Sequence, residues 1–579
     1  MLQQWIESAK ADKPVWLDEV SRACATAGTC TPVILELTLF DGKKRAFTRF
    51  FPSWSNEDEQ RFVREYMCAC VFNTLSALGG SCMTFYYDLH NAPLDALIGE
   101  LDDLFSPETA ERSGYGKIVR EADRICAFLG RGSFRFERRS IAEYETPPTE
   151  EEHRAVDLAQ TLRGVASRAD ARVCCGVDVG GTDIKLAVSA NGRLVCTREY
   201  DWNPADFPNA EQLIDPILLL TQLMRACAAD YLSNGEIGEV LRAALDKNTP
   251  DAVTVRAVEE AELRLGDASD VLDTVGLSFP DVVVRNAIVG GETPKTHGMR
   301  SNPALDYETQ FTKLTKLNEA LEKLCRAPGH VRVTNDGNIA AYTAAMELAH
   351  SKRAPLVRSG VLAHSLGTDL GAGWLNAAGE IPEYSLELYD SIIDLGSWVS
   401  REFAPDDLRC VRNENSGLCS VRRYLGQAGV FRMAWNAKPD LLDGFTAHDG
   451  DKLVIRTMPC DMRKPCLEHI MLMAEQDDSS AAGVFRDVGR ALAHVTAASA
   501  VLLRPETDTR FLFGRFVKRR RCFELICEGF AEVLPSVTLI AADSDLACTP
   551  LMRQLAAMPD VTVAQFGQAI GAIYYGLEN

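Results

Sequence analysis

The 579-residue sequence lacks any apolar run long enough to cross a bilayer. Its first residues, MLQQWIESAKADKPVW, lack the basic stretch followed by an apolar segment that marks a secretory leader. The expectation is a cytoplasmic protein with no membrane partner. Positive charge is in deficit: 61 Lys and Arg stand against 82 Asp and Glu, for a formal net charge of -21. Most of the surface field repels nucleic acid and anionic lipid, so no nucleic-acid partner is expected, and an anionic substrate needs a local positive site. The tightest pairs among the 18 cysteines, Cys68 with Cys70 and Cys174 with Cys175, lack the paired CxxC spacing of a zinc site. They read as reduced, mostly buried thiols. A Walker A loop is absent, since Gly176-x4-Gly181 runs into Thr-Asp instead of Lys-Ser/Thr. No GxGxxG stands between a strand and a helix, which argues against nicotinamide or flavin binding.

What is plentiful is hydrophobic residue, 46% of a chain whose length allows about two to four domains. VILELTLFDGKKRAFTRFF (33–51) reads as two strands joined at Asp41-Gly42; a helical pattern from Asn56 to about Leu78 and a strand, CMTFYYD, follow. Residues 1–150 are therefore expected to form an α/β module. ETPPTEEEH (145–153) fits an exposed linker or the start of a solvated helix, which puts a boundary near 145–170. From Val173 onward strands and helices alternate, with glycine-rich turns after several apolar strands, as in α/β layering. The division expected is a first lobe over 171–345 with a helical insertion near 205–270, and a second lobe over 346–579 with a mixed insertion near 400–480.

Three segments carry candidate chemistry. VCCGVDVGGTDIKLAVS (173–189) reads as strand, glycine turn and strand, and a third strand follows Asn191-Gly192. Gly180 and Gly181 let backbone N–H groups approach a phosphate, and Thr182 and Lys185 can add donors. Asp178 stands where a carboxylate could hold the Mg2+ that travels with phosphates. The same residues also suit an ordinary tight hairpin whose Asp caps the turn. In the second segment the apolar strand Val361-Leu-Ala-His-Ser leads into LGTDLGAG (366–373), where Gly367, Thr368, Gly371 and Gly373 can either grip phosphate through amides or simply pack closely. Between these lies HVRVTNDGNIAAYTAAME (330–347), an apolar strand that ends in Asn335-Asp336 and opens into an alanine-rich helix. A carboxylate at a strand's end beside a helix N-terminus can accept a proton from a bound hydroxyl, although Asn and Asp also cap helices routinely.

Taken in order, phosphate hairpin, strand-end acid, second phosphate turn and a late apolar strand ending in glycine resemble the ROK-type branch of the actin-like ATPase superfamily, near bacterial glucokinases, over roughly 173–577. The resemblance implies an α/β fold with a two-lobed actin-like ATPase (ribonuclease H-like) core, here with an additional N-terminal α/β module. It also implies a sugar kinase that uses ATP and Mg2+. GVDVGGTDIKLAV is similar to the family's phosphate-1 motif, which implies that Asp178 positions Mg2+ and that Gly180, Gly181 and Thr182 contact phosphate. TNDGNIAA resembles the motif bearing the catalytic aspartate, here Asp336, with Asn335 as a sugar contact. SLGTDLGAG resembles phosphate-2. GLSFPDVV (276–283) is similar to a strand-turn before the sugar cleft, and residues 484–514 to the C-terminal helix and adenine-side strand, which ends at Gly514.

Glu387-Leu-Tyr-Asp390 stands where the family has Glu-Leu-Gly-His, which implies that Glu387 binds sugar hydroxyls. Asp390 replaces the histidine; an ionised carboxylate only accepts, so its partner must be a sugar hydroxyl, an amino group or a protein cation. The family's CxCGxxGC zinc cluster is reduced to Cys410 and Cys419, so no structural zinc is expected. Arg515 replaces a usual glycine and could narrow the base pocket or bind an extra phosphate. The alternative reading is a sugar-sensing, non-catalytic regulator of the same family, some of whose members are repressors with an N-terminal DNA-binding domain; 1–170 shows strands and no clear helix-turn-helix. An actin- or chaperone-like ATPase would share the glycine turns without needing Asn335-Asp336 followed by Glu387.

Overall fold

A computed structural model describes residues 1–107, 114–147, 156–291, 293–414, 416–542 and 546–578. Most of the expected linker ETPPTEEEH lies outside the described residues. The chain forms two compact units: Met1–Glu151, His364–Ala372 and Tyr384–Ala541 make the first; Glu152–Ala363, Gly373–Glu383 and Ala542–Asn579 make the second. Among the described residues no helix is long and apolar enough to cross a membrane.

After two helices, Leu2–Lys10 and Leu17–Thr26, the first unit forms a four-stranded sheet of β1 (Thr31–Thr38), β2 (Lys44–Phe51), β3 (Cys82–Tyr87) and β4 (Arg135–Ser140), in the order β2-β1-β3-β4. The β1–β2 turn has Gly42 at φ +92° and the Asp41 carboxylate accepting from the Lys43 N–H at 2.8 Å. The helix Glu57–Leu78 starts on a reciprocal cap: Asn56 accepts from the Glu59 N–H at 3.0 Å, and the Glu59 carboxylate accepts from the Ser55 N–H at 2.8 Å. From Tyr66 to Leu78 every residue of this helix is buried. Its polar residues there must find partners inside the protein.

The second unit is organised by β5 (Val173–Val179), β6 (Asp183–Ala190), β7 (Arg193–Asp201), β8 (Thr274–Phe279) and β11 (His330–Asn335), ordered β11-β8-β5-β6-β7; β9 (Val283–Val284) and β10 (Ala287–Ile288) form a small hairpin. Three consecutive antiparallel strands followed by two parallel ones constitute the ribonuclease H-like, actin-like ATPase arrangement. Its central strands β5 and β8 are almost wholly buried, as parallel strands covered on both faces require. One cover is the helix Val563–Gly576, which lies so close that a Cβ on Gly176 would sit 1.9 Å from the Ala569 carbonyl oxygen and one on Gly276 1.7 Å from that of Ala572. The helix Glu211–Asn234 adds Ile217, Leu220 and Leu223 to the core around Val177, Ile184 and Leu186.

Later in the chain β12 (Val361–Leu366) and β13 (Leu370–Leu375) precede the small hairpin of β14 (Thr446–Asp449) and β15 (Lys452–Ile455), then β16 (Thr509–Phe513) and β17 (Thr538–Ala541). A four-stranded sheet is ordered β13-β12-β16-β17. In the first unit the helices Ser479–Leu503 and Arg520–Val533 approach through glycines: a Cβ on Gly489 would lie 2.1 Å from the Ile526 oxygen.

Candidate active site

In the second unit the strand order brings Asp178, at the end of β5, and Asp336, one residue beyond β11, to the same end of the sheet. Parallel neighbours end together, which is why ligand groups collect there. Both residues are half-buried. Burial raises the Asp178 carboxyl to about 6 against a hydrogen bond from Ser278 (Oγ to Oδ1, 2.7 Å), and the Asp336 charge adds to the rise. Asp336 is also raised, by burial first, opposed by the Lys295 ammonium and by N–H donors that include Gly337 at 2.8 Å. Two acids are thus held back from water, with their anionic forms disfavoured until a cation or a proton donor arrives.

Asn335 caps the helix Asp336–Ala349, accepting from the Gly337 N–H at 2.8 Å and donating to the Asp281 carbonyl at 3.0 Å. Each end of the Asn335 amide thus makes one bond, and the group has a second N–H and a second lone pair beyond them. The glycine turn between β5 and β6 presents Gly181 and Thr182 to solvent, with Gly180 half-buried beneath. It is braced by Trp202, whose backbone N–H reaches the Thr182 carbonyl at 3.1 Å and whose indole N–H reaches that of Gly180 at 3.0 Å. Lys185 is turned onto Asp183 at 2.6 Å. The ammonium arm over the turn is Lys295, whose Cε lies 3.6 Å from the place a Gly181 Cβ would take. Lys295 and Trp202 escaped sequence reasoning because each stands alone outside a motif; only the fold brings them to the turn.

A Mg2+ ion with nucleotide phosphates fits this donor set, because Mg2+ takes one or two carboxylates and leaves its other positions to phosphate and water. Asp178, a raised carboxylate at the base of an amide-rich turn, is the residue that would hold it. Among the described residues no group of three or more His, Cys, Asp or Glu is placed to hold a metal ion by itself. All 18 cysteines are free thiols, Cys410 and Cys419 among the buried ones. A cavity of about 880 Å3 in this unit is lined by Asn286, His330 and Arg332 among others, and by neither Asp178 nor Asp336.

In the first unit the second glycine turn exposes Thr368 and half-exposes Gly367 and Gly371, and nothing stands within 4 Å of a Cβ on Gly367. The carbonyls of Gly367 and Thr368 accept from the Gln427 N–H at 3.1 and 3.2 Å, while Arg422 grips the Asp369 carboxylate through Nε (2.8 Å) and Nη2 (2.5 Å). Gly514, at φ +93°, lies against the same turn: a Cβ there would be 2.2 Å from the Leu366 oxygen. Gly373 belongs to the second unit and to a packing contact, since its Cβ would meet the Gly337 oxygen at 1.8 Å. Arg515 is 33% exposed and lies 4.0 Å from Glu468.

Glu387 and Asp390 are buried in the first unit. Asp390 accepts from Asn413 Nδ2 at 2.7 Å and pairs with the Lys117 ammonium. Of the three donors that the sequence left open for Asp390, the structure shows a protein cation. Burial alone would lower the Lys117 pKa, but the Asp390 and Glu387 carboxylates outweigh it and hold Lys117 above its ordinary value. Nothing around Lys117 in the sequence announces this pairing across 273 positions.

No family model and no curated protein matches the chain. Among solved structures, a ROK family glucokinase from Streptomyces griseus in complex with glucose and AMPPNP is 18% identical, with 69% of this chain and 98% of that one covered at a TM-score of 0.37. A ROK hexokinase from Thermus thermophilus is 16% identical over 70% of this chain and 98% of its own, at 0.36. The chain is similar to ROK proteins. A ROK family transcriptional regulator, a homologue of the E. coli MLC protein, is 12% identical, covering 70% of this chain and 80% of that one at 0.39. ROK kinases and a ROK regulator stand at the same distance, so the likeness does not choose between activities; the fold rests on the strand order of the second unit.

Proposed function

We propose that the chain is a sugar kinase that transfers the γ-phosphate of ATP to a hydroxyl of a hexose or hexose-like sugar. The observation that carries this reading is the raised carboxylate of Asp336 at the end of β11, beside Asp178 and within the field of Lys295. Bound ATP with Mg2+ supplies the phosphoryl group and the charge neutralisation its oxygens need. Asp336 accepts the proton of the bound hydroxyl, a task for which a raised carboxylate is better matched than an ordinary one. The Gly180 N–H closes the turn on the Asp183 carbonyl at 2.8 Å, so the amides that attract phosphate oxygens are those of Gly181 and Thr182, together with the Lys295 ammonium, and Asp178 holds the cation. In the first unit the turn at Gly367, Thr368 and Gly371, closed by Gly514, is the second phosphate-binding candidate; its Gly367 N–H is taken by the Asp369 carbonyl at 3.3 Å, and Thr368 is the residue exposed to a ligand. Glu387 accepts from sugar hydroxyls, with Asp390 beside it, and Asn335 is a sugar contact next to the base.

A coupled assay over hexoses, amino sugars and phosphoryl donors tests the proposal. Turnover of at least one sugar with ATP is expected, and the absence of turnover with every pair would overturn it. Tight sugar binding with no turnover would favour the sugar-sensing regulator.

A further inference from the structure

Residues 1–150 carry no motif, yet two of their helices end on the segment that holds Glu387. The Leu386 N–H donates to the Ala77 carbonyl (3.0 Å) and the Glu387 N–H to that of Ser76 (2.9 Å), while Ser76 Oγ returns a bond to the Glu387 carbonyl at 2.6 Å. Asn73 grips Ile392 from both sides, donating to its carbonyl at 2.8 Å and accepting from its N–H at 2.7 Å. Helix Glu57–Leu78 thus serves as a template for 386–392, a stretch whose own regular structure is one short 3-10 turn, Leu388–Asp390, and a single bridge from Ile392 to Ser420. Leu386 is held at φ +51°, a left-handed conformation that costs a leucine free energy and persists only where its surroundings impose it.

The second helix, Gly116–Phe128, delivers Lys117 to Asp390, where the two are 4% and 1% exposed. Its ammonium lies 5.3 Å from the centre of the Tyr389 ring, and the Arg422 guanidinium lies 5.2 Å from that same centre. Arg422 in turn grips Asp369 in the glycine turn. A buried ion pair stabilises a fold poorly compared with apolar side chains of the same volume, so its clearest physical effect is to fix one arrangement.

We propose that Lys117 is a positioning residue for the sugar-side turn: by holding Asp390 it fixes the Glu387 carboxylate where a sugar hydroxyl can donate to it. The N-terminal module is then part of the substrate site's scaffold. This inference rests on the proposed sugar kinase.

The test uses the full chain and a sugar it phosphorylates. Lys117→Met should raise the sugar KM about tenfold or more while changing kcat and the calorimetric nucleotide affinity by less than about threefold. Lys117→Arg, which keeps the charge, should recover part of the loss. Should Lys117→Met fail to fold, Lys117→Met combined with Asp390→Asn removes both charges of the pair, leaves only the Glu387 and Glu121 carboxylates without the facing ammonium, and is read in the same way. A folded variant with an unchanged sugar KM, or one that loses sugar and nucleotide affinity equally, would overturn the proposal. An unsubstituted chain that binds a sugar without phosphorylating it overturns the kinase alone, and the calorimetric sugar Kd then replaces KM. A chain that binds no sugar overturns both.

Discussion

Asp336 and Asp390 are both buried or half-buried carboxylates at candidate-site positions, and they live in opposite surroundings. Asp336 is half-buried, feels Lys295 only through space, and is raised by desolvation. Asp390 is fully buried and accepts from Lys117 and Asn413. A carboxylate with little local compensation holds its proton affinity in reserve for a substrate; one already paired has spent its electrostatics on architecture. Residue type and a nearby motif do not distinguish the two, whereas their partners do.

The widest separation between them should come from removing each charge. Asp336→Asn should lower kcat by about 100-fold or more and leave the sugar affinity within about tenfold, as loss of a general base does, and its urea midpoint should stay near that of the unsubstituted protein. Asp390→Asn should instead cost about 3–5 kcal/mol of stability in urea unfolding, because Lys117 is left charged and buried. Equal destabilisation by both substitutions would erase the contrast.

Glycines sharpen the comparison next. Gly181→Val faces open space and one flexible lysine arm, so the fold should survive while nucleotide affinity falls by about tenfold or more; calorimetry reads it. Gly373→Ala drives a Cβ onto the Gly337 carbonyl and should cost about 1–3 kcal/mol in thermal unfolding. The smallest effect concerns pH. Asp178 must be ionised to take up a cation, so cation binding by the metal-free protein should weaken as pH falls through about 6, and a bound cation moves the loss of turnover to lower pH. Stability runs the other way: the folded carboxyl, at about 6, binds its proton more tightly than the unfolded one near 3.8, so this contribution is fully present below the lower value and is lost as pH rises through the upper. Chemical unfolding from about pH 4 to 7 should show the native chain losing stability relative to Asp178→Asn as pH rises.

Much of the framework was legible before any fold was known. The strands around Asp41-Gly42, the helix after Asn56 and the meander through Gly180 and Gly181 all follow from local pattern, because turn chemistry, capping and apolar periodicity act over a few residues. Gly373 was harder to read. In sequence it is one more glycine of LGTDLGAG; in the fold it is where the strand backbone packs on the turn after Asp336. Lys185 was expected to donate to phosphate and is turned onto Asp183, while Lys295, more than a hundred positions later, lies over the turn.

The sequence by itself determined where the candidate acids and glycine turns stand along the chain, since Asp178 and Asp336 close apolar strands whose identity is written in consecutive residues. Only the tertiary structure decided which carboxylates are reserved and which are paired, because the pKa of a group and the donors around it depend on distances between residues such as Lys117 and Asp390, 273 positions apart, which no local pattern encodes.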